Sequence, residues 1–124
     1  VDEEATDNLS FDKPVAILVN GNSASASEVF SGAMKDYKAA TLVGTNTFGK
    51  GIVQSIVPFE DGTAMKVTVS KYYTPNGANI HGTGIKPDVV VELNKEALND
   101  GKLDRKEDNQ LDKALDVVVK DIGK

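Results

Sequence analysis

Apolar residues come along this chain in short blocks, and the spacing within each block separates strands from helices. "PVAILVN" (14–20) is a continuous apolar run of strand length, the pattern of a strand buried on both faces, and "NGNSAS" supplies a turn after it. From Ala26 onward the rhythm changes. Val29, Phe30, Ala33, Met34 and Tyr37 recur at intervals of three and four, which predicts a helix with one apolar face that ends near Lys38. "ATLVG" (40–44) is a second short apolar run, and strand, helix, strand favours a parallel pair joined by a crossover helix.

Further along, Met65, Val67 and Val69 alternate with Lys66, Thr68 and Ser70. With "GIVQSIVPF" before "EDG" and "TAMKVTVSKYY" after it, the alternation predicts an antiparallel hairpin. "TPNGANIHGTGIKPD" (74–88) holds too many glycines and prolines for a regular element, and "VVVEL" (89–93) reads as another strand. The chain closes with a polar linker and a helix from about Asn109, where Leu111, Ala114, Leu115, Val118 and Ile122 share a face. The fold class expected is α/β: a strand-helix-strand core, an antiparallel hairpin and a C-terminal helix. No internal repeat or low-complexity tract interrupts it.

Composition narrows the partners. A chain of 124 residues with 40% hydrophobic content fits one compact domain. Fourteen basic residues against nineteen acidic ones give a net charge of −5, and no cluster of Lys and Arg with interleaved aromatics appears. A phosphate backbone is repelled on average, so nucleic acid is not an expected partner. Cysteine is absent, which removes disulfides and thiolate metal sites and leaves the redox compartment open. No apolar run reaches the roughly 18 residues of a membrane span, and "VDEEATDNLS" is acidic rather than a basic leader, so the chain reads as soluble.

Two loops carry candidate chemistry. "GTNTFGKG" (44–51) comes within one residue of the phosphate-binding pattern G-x-x-x-x-G-K-[ST], but the hydroxyl position is Gly51 and the β-branched "IVQSIVPF" that follows disfavours a helix. Lys50 therefore heads a strand and is open to another role. The other loop, "NSASASE", brings Ser23, Ser25 and Ser27 to the turn between a buried strand and a helix start. The partial positive charge and unpaired N–H groups of that helix end would stabilise an anion forming beside a serine. The plainer reading is that "SASE" (25–28) is a capping box that satisfies the same donors.

A nucleophilic serine needs a base. His81, the one histidine, lies in the Gly-rich loop and reads as a turn residue. A lysine serves if burial keeps it uncharged, and the neighbours of Lys50 (Phe48, Gly49, Gly51, Ile52, Val53) include no acid that would hold it protonated. Gln54 is four residues on, and strand alternation would put it on the same side, where a neutral amide orients the amine without adding charge. An ordinary polar strand residue is the alternative for Gln54. Around "EALNDGKLDRKED" (96–108) the Gly101 to Glu107 spacing resembles a calcium loop, but Leu98 stands where an oxygen ligand is needed, and a solvated acidic linker fits better.

Taken together, "NSASASE", "TFGKGIVQ", "YYTPNG" and "GTGIKPD", in this order and spacing, closely resemble the catalytic core of the C-terminal processing peptidases, or tail-specific proteases, over residues 14–93. The resemblance implies a ββα-superhelix (ClpP/crotonase-like) core. It implies a Ser–Lys dyad assisted by Gln, with the lysine 25 positions after the serine, which selects Ser25, Lys50 and Gln54. The Ala26 backbone N–H would be one oxyanion donor, and no cofactor or metal is called for. It further implies protein or peptide substrates with C-terminal tails, a PDZ domain that binds those tails, and a periplasmic, extracytoplasmic or membrane-associated parent enzyme. The PDZ domain and an upstream glycine segment holding the second oxyanion donor lie outside these residues. On this reading 1–93 is a partial protease core, 94–124 is linker and helix, and the chain alone is expected to be weakly active or inactive. Apolar surface left open where the upstream segment packs would favour a homo-oligomer. The rival reading is a noncatalytic interaction or scaffold domain with a protease-like fold.

Overall fold

The computed structural model describes residues 11–94, 98–99, 102–103 and 105–123. Three parallel strands form the central sheet: β1 (Ala16–Val19), β2 (Thr41–Gly44) and β5 (Val89–Val90), with β2 in the middle. Ala16 lies beside Thr41 and Val19 beside Gly44, while Val43 and Gly44 pair with Val89 and Val90. Helix α1 (Ala26–Asp36) makes the crossover from β1 to β2, as the alternation of apolar blocks predicts.

Among the described residues, the run expected to be buried on both faces is instead an edge strand: β1 pairs with β2 alone, and Leu18 is 44% exposed. The fully buried strand is β2, where Leu42 and Val43 have no exposed surface. Val19, Leu42, Ile80 and Ile85 form the core cluster, with Ile17 against it. Helix α2 (Asn109–Ile122) packs on β1 and β2 with Ala114 buried. Asp108 caps it by accepting the Leu111 N–H at 2.9 Å.

The hairpin forms as predicted from β3 (Ile52–Pro58) and β4 (Ala64–Lys71). Its turn is closed by Phe59 and Thr63 and braced by Asp61, which accepts from the Thr63 N–H and hydroxyl. Val53 faces Ser70 and Gln54 faces Thr68, so Val69 is an extra residue that bulges β4. A short antiparallel pair, β6 (Leu98–Asn99) with β7 (Lys102–Leu103), precedes α2 in the segment read as a linker. The calcium-like spacing considered there includes Gly101, outside the described residues.

Helix α1 departs from its own apolar periodicity. The buried positions are Glu28, Ser31 and Gly32, whereas Phe30 is 56% exposed and Tyr37 74% exposed. The helix therefore turns a polar, small-residue face inward. Gly32 lets it approach Thr74 and Ile85, against which a β-carbon would stand at 3.1 and 3.2 Å. The apolar face borders an open cleft of about 270 Å³ formed with Tyr72, Tyr73 and Pro75. Lys38, with φ 55°, ends the helix in a Schellman arrangement: the Ala39 N–H reaches the Met34 carbonyl and the Lys38 N–H the Lys35 carbonyl.

Candidate active site

Three loops meet at the N-terminal end of α1: the serine loop after β1, the lysine loop after β2 and the Gly-rich loop after β4. Ser25 is the N-cap of α1, with φ 57° and ψ −117°. That backbone region is costly for any residue with a β-carbon, and strain of this kind persists where surrounding structure over-determines it. A sharp strand-to-helix turn with such a residue holds the side chain up from the surrounding backbone. The glutamate half of the expected capping box is in place, with the Ser25 N–H on Glu28 Oε2 at 3.0 Å, while the Glu28 N–H goes to the Ser25 carbonyl at 2.8 Å. The neighbouring Ala26 N–H, first in the helix, has no acceptor among the described residues.

Glu28 has no exposed surface, and its two carboxylate oxygens divide four donors evenly. Oε1 accepts the Thr47 hydroxyl at 2.5 Å and the Gly49 N–H at 2.7 Å. Oε2 accepts the Ser25 N–H at 3.0 Å and the Lys50 N–H at 2.8 Å. Burial pushes this carboxyl up, but the bonds from Thr47, Gly49, Lys50 and Ser25 together outweigh it and hold the group below the usual carboxylate range. A buried charge is tolerated here because each lone-pair direction meets a donor.

The lysine loop is held from both sides. The Phe48 N–H donates to the Ser23 carbonyl, and the Gly82 N–H donates to the Gly49 carbonyl. The Thr47 hydroxyl, while donating to Glu28, accepts the Ile85 N–H at 2.7 Å. Gly49 has φ 89°, and a β-carbon there would come within 2.8 Å of the Gly84 nitrogen. The Gly-rich segment is therefore a packed wall, with Ile80 and Ile85 in the core, and its backbone lies directly against the lysine loop. His81 sits on it exposed, its N–H capped by Asn79.

Of the residues singled out in the sequence, Ser25, Ala26 and Lys50 are brought together by their backbones. Their side chains are not joined in the same way. Lys50 is exposed, and among the described residues no hydrogen bond links its amine to the Ser25 hydroxyl. Gln54 is half-buried on β3 and reaches across to Thr68 Oγ1 at 3.4 Å. Lys50 precedes β3 by two residues and gives its N–H to Glu28, so strand alternation from Gln54 does not extend to it. Sequence reasoning read Glu28 only as a helix-start acid and did not single out Thr47. The acid at the third position of a capping box was the available signal for the first; the second had none.

With this geometry in view, the chain can be set beside known proteins. The model of peptidase family S41 matches residues 1–91. The chain belongs to peptidase family S41. Among curated relatives, a carboxy-terminal-processing protease of Bartonella bacilliformis is 51% identical over 85 residues, 68% of this chain and 20% of that protein. A probable CtpA-like serine protease of Staphylococcus epidermidis is 58% identical over 84 residues, 68% of this chain and 17% of its own. The photosystem II D1 C-terminal processing protease superposes with a TM-score of 0.63 at 44% identity, over 71% of this chain and 22% of that one. The tricorn protease gives 0.66 at 25% identity, over 90% and 11%. The resemblance to C-terminal processing peptidases and the α/β class are borne out by these matches. The chain spans about a fifth of the length of the curated relatives it matches. Among the described residues, no helix is long and apolar enough to cross a membrane.

Proposed function

We propose that these residues carry the nucleophile and base of a serine endopeptidase that cuts proteins near unstructured C-terminal tails. The observation that carries the reading is the strained backbone of Ser25 at the N-cap of α1, on a loop whose N–H shares a carboxylate oxygen with that of Lys50. Lys50, uncharged, takes the proton of Ser25 Oγ as the oxygen attacks the peptide carbonyl carbon. Negative charge collects on the carbonyl oxygen, where the unpaired Ala26 N–H and the helix end stabilise it. The tetrahedral intermediate collapses, the C–N bond breaks, and the Lys50 ammonium returns its proton to the departing amine. Lys50 then takes a proton from water as the water oxygen attacks the acyl-enzyme ester, and returns it to Ser25 Oγ as the ester C–O bond breaks and the carboxylic acid product leaves. Gln54 orients the amine from β3.

Lys50 is exposed here, and a lysine works as a general base where surrounding surface excludes water from its amine. The covering surface is supplied by further parts of the enzyme, among them a PDZ domain and a glycine segment that gives the second oxyanion donor. Loss of one such donor costs about 10²–10³ in rate, and these 124 residues alone are accordingly weak or inactive toward peptides. The exposure of Lys50 also favours a second reading, a noncatalytic docking domain on a protease fold.

Labelling by a fluorophosphonate probe in the enzyme that contains this chain separates the two. The peptidase reading expects labelling that disappears in Ser25→Ala and falls steeply in Lys50→Met. Equal labelling of wild type and Ser25→Ala would overturn it.

A further inference from the structure

The reaction just described leaves one buried ionised group without a role. Glu28 sits one turn into α1 with no exposed surface. As a helix cap its work would be finished by one bond, the Ser25 N–H at 3.0 Å. Three of its four donors instead come from the lysine loop: the Thr47 hydroxyl and the N–H groups of Gly49 and Lys50. Capping does not account for them.

We propose that Glu28 is the positioning residue of the Ser25–Lys50 pair, with the Thr47 hydroxyl orienting its carboxylate and tying the pair to the Gly-rich wall. The inference rests on the peptidase reading above. Oε2 alone receives the backbone N–H groups of both residues, at 3.0 and 2.8 Å. Their nitrogens therefore cannot be farther apart than those two bonds laid end to end. Oε1 prevents the carboxylate from rotating, because Thr47 and Gly49 occupy it from the other side. The Thr47 hydroxyl has one proton and gives it to Glu28; its lone pair accepts the Ile85 N–H at 2.7 Å. Thr47 is itself 4% exposed, so this direction is not contested by solvent.

Such an arrangement sets the distance across which Ser25 Oγ hands its proton to Lys50. The serine loop and the lysine loop come from different strands, β1 and β2, and among the described residues the direct backbone bond between them is the Phe48 N–H to the Ser23 carbonyl. That single bond fixes an approach, not an orientation. A glutamine at position 28 would present one acceptor oxygen and one amide donor to four donors, so either the Ser25–Lys50 side or the Thr47–Gly49 side must be released. Misplacement of reacting groups by about 1 Å costs on the order of 10² in rate.

The test follows acylation of Ser25 by a fluorophosphonate across probe concentrations, in the enzyme that contains this chain. Glu28→Gln is expected to lower the saturating acylation rate by roughly a hundredfold while the half-saturating probe concentration moves little. Thr47→Val should lower the same rate less steeply, and Thr47→Ser, which keeps the hydroxyl, should restore it. A merely structural Glu28 would lower the folded fraction without separating rate from half-saturation, and would not distinguish Ser from Val at position 47. If Glu28→Gln fails to fold, the Thr47 pair decides. Wild-type rates in folded Glu28→Gln, or in Thr47→Val, would overturn the positioning role. Absence of Ser25-dependent labelling in the wild type would instead overturn the peptidase reading, and this inference with it.

Discussion

Leu42 and Asp88 are bonded to each other twice: the Leu42 N–H donates to Asp88 Oδ2 at 2.9 Å, and the Asp88 N–H donates to the Leu42 carbonyl at 2.9 Å. Asp88 Oδ1 meets Lys35 Nζ at 2.7 Å, and the same amine donates to the Lys86 carbonyl at 2.7 Å. One aspartate thus ties α1, the central strand and the entry to β5, and so sets the platform from which the lysine loop leaves β2.

The two halves of that tie differ in worth. The Lys35 and Asp88 side chains are about a third exposed, and an ion pair so placed contributes at most about 1 kcal/mol. Leu42 has no exposed surface, and leaving its N–H unpaired costs about 1–3 kcal/mol. Asp88→Ala should therefore lower the urea midpoint more than Lys35→Met does. The reverse order would mean that the ion pair, not the buried N–H, holds this corner.

Contact between the Gly-rich wall and the lysine loop depends on glycine at one position and merely tolerates it at another. Gly84 has φ 68°, and its β-carbon would come 2.3 Å from the Thr47 carbonyl oxygen; Gly82 has φ 76° with nothing within 4 Å. Gly82→Ala meets only backbone strain, about 1–2 kcal/mol. Gly84→Ala adds a collision with backbone that cannot move without disturbing Thr47 and hence Glu28. Thermal unfolding should rank Gly84→Ala well below Gly82→Ala, and equal midpoints would show that the two loops are not in firm contact.

Local periodicity made much of the fold legible. A spacing of two placed β3 and β4, a spacing of three and four placed α1 and α2, and the apolar block 40–44 became the buried β2. The departures share a cause: the deciding interactions are distant in sequence. Val29, Phe30 and Tyr37 gave α1 its helical rhythm, yet Gly32 and Glu28 determine which face turns inward, because Thr74, Ile85 and Thr47 await them there. Ile80 and Ile85 sit among glycines and looked like loop residues, although they complete the core around Val19 and Leu42. The Ser25 and Lys50 pair was reached from residue chemistry and resemblance. Glu28 was hidden because a window of a few residues contains one of its four donors and none of the other three.

Acid should loosen the loops through Glu28. Burial raises this carboxyl, but the hydrogen bonds from Thr47, Gly49, Lys50 and Ser25 prevail and lower it. A group held lower in the folded chain than in the unfolded one adds stability that is fully present above the unfolded value, about 4.3. That contribution is lost as pH falls through the folded value. Urea titrations across this range should show the wild type losing stability on acidification by a component missing from Glu28→Gln. Asp36 and Asp61, also lowered by hydrogen bonds, remain in both proteins, so the difference between the two curves isolates position 28. Parallel curves would mean that the carboxylate is not ionised in its cage.

The backbone of Ser25 gives the sharpest separation of stability from chemistry. At φ 57° and ψ −117° a β-carbon is strained, and removing it should return about 1–2 kcal/mol. Ser25→Gly gives back roughly 0.5–1 kcal/mol of that as unfolded-state freedom, and should therefore unfold slightly above the wild-type midpoint. The Glu28 N–H is already held by the Ser25 carbonyl at 2.8 Å, so Ser25→Ala keeps the strain and should unfold near wild type, below the glycine variant. Neither variant retains the hydroxyl, so neither should be acylated by a fluorophosphonate. An alanine variant as stable as the glycine variant would mean that position 25 relaxes out of the strained region, and that no surrounding structure holds the serine in place for attack.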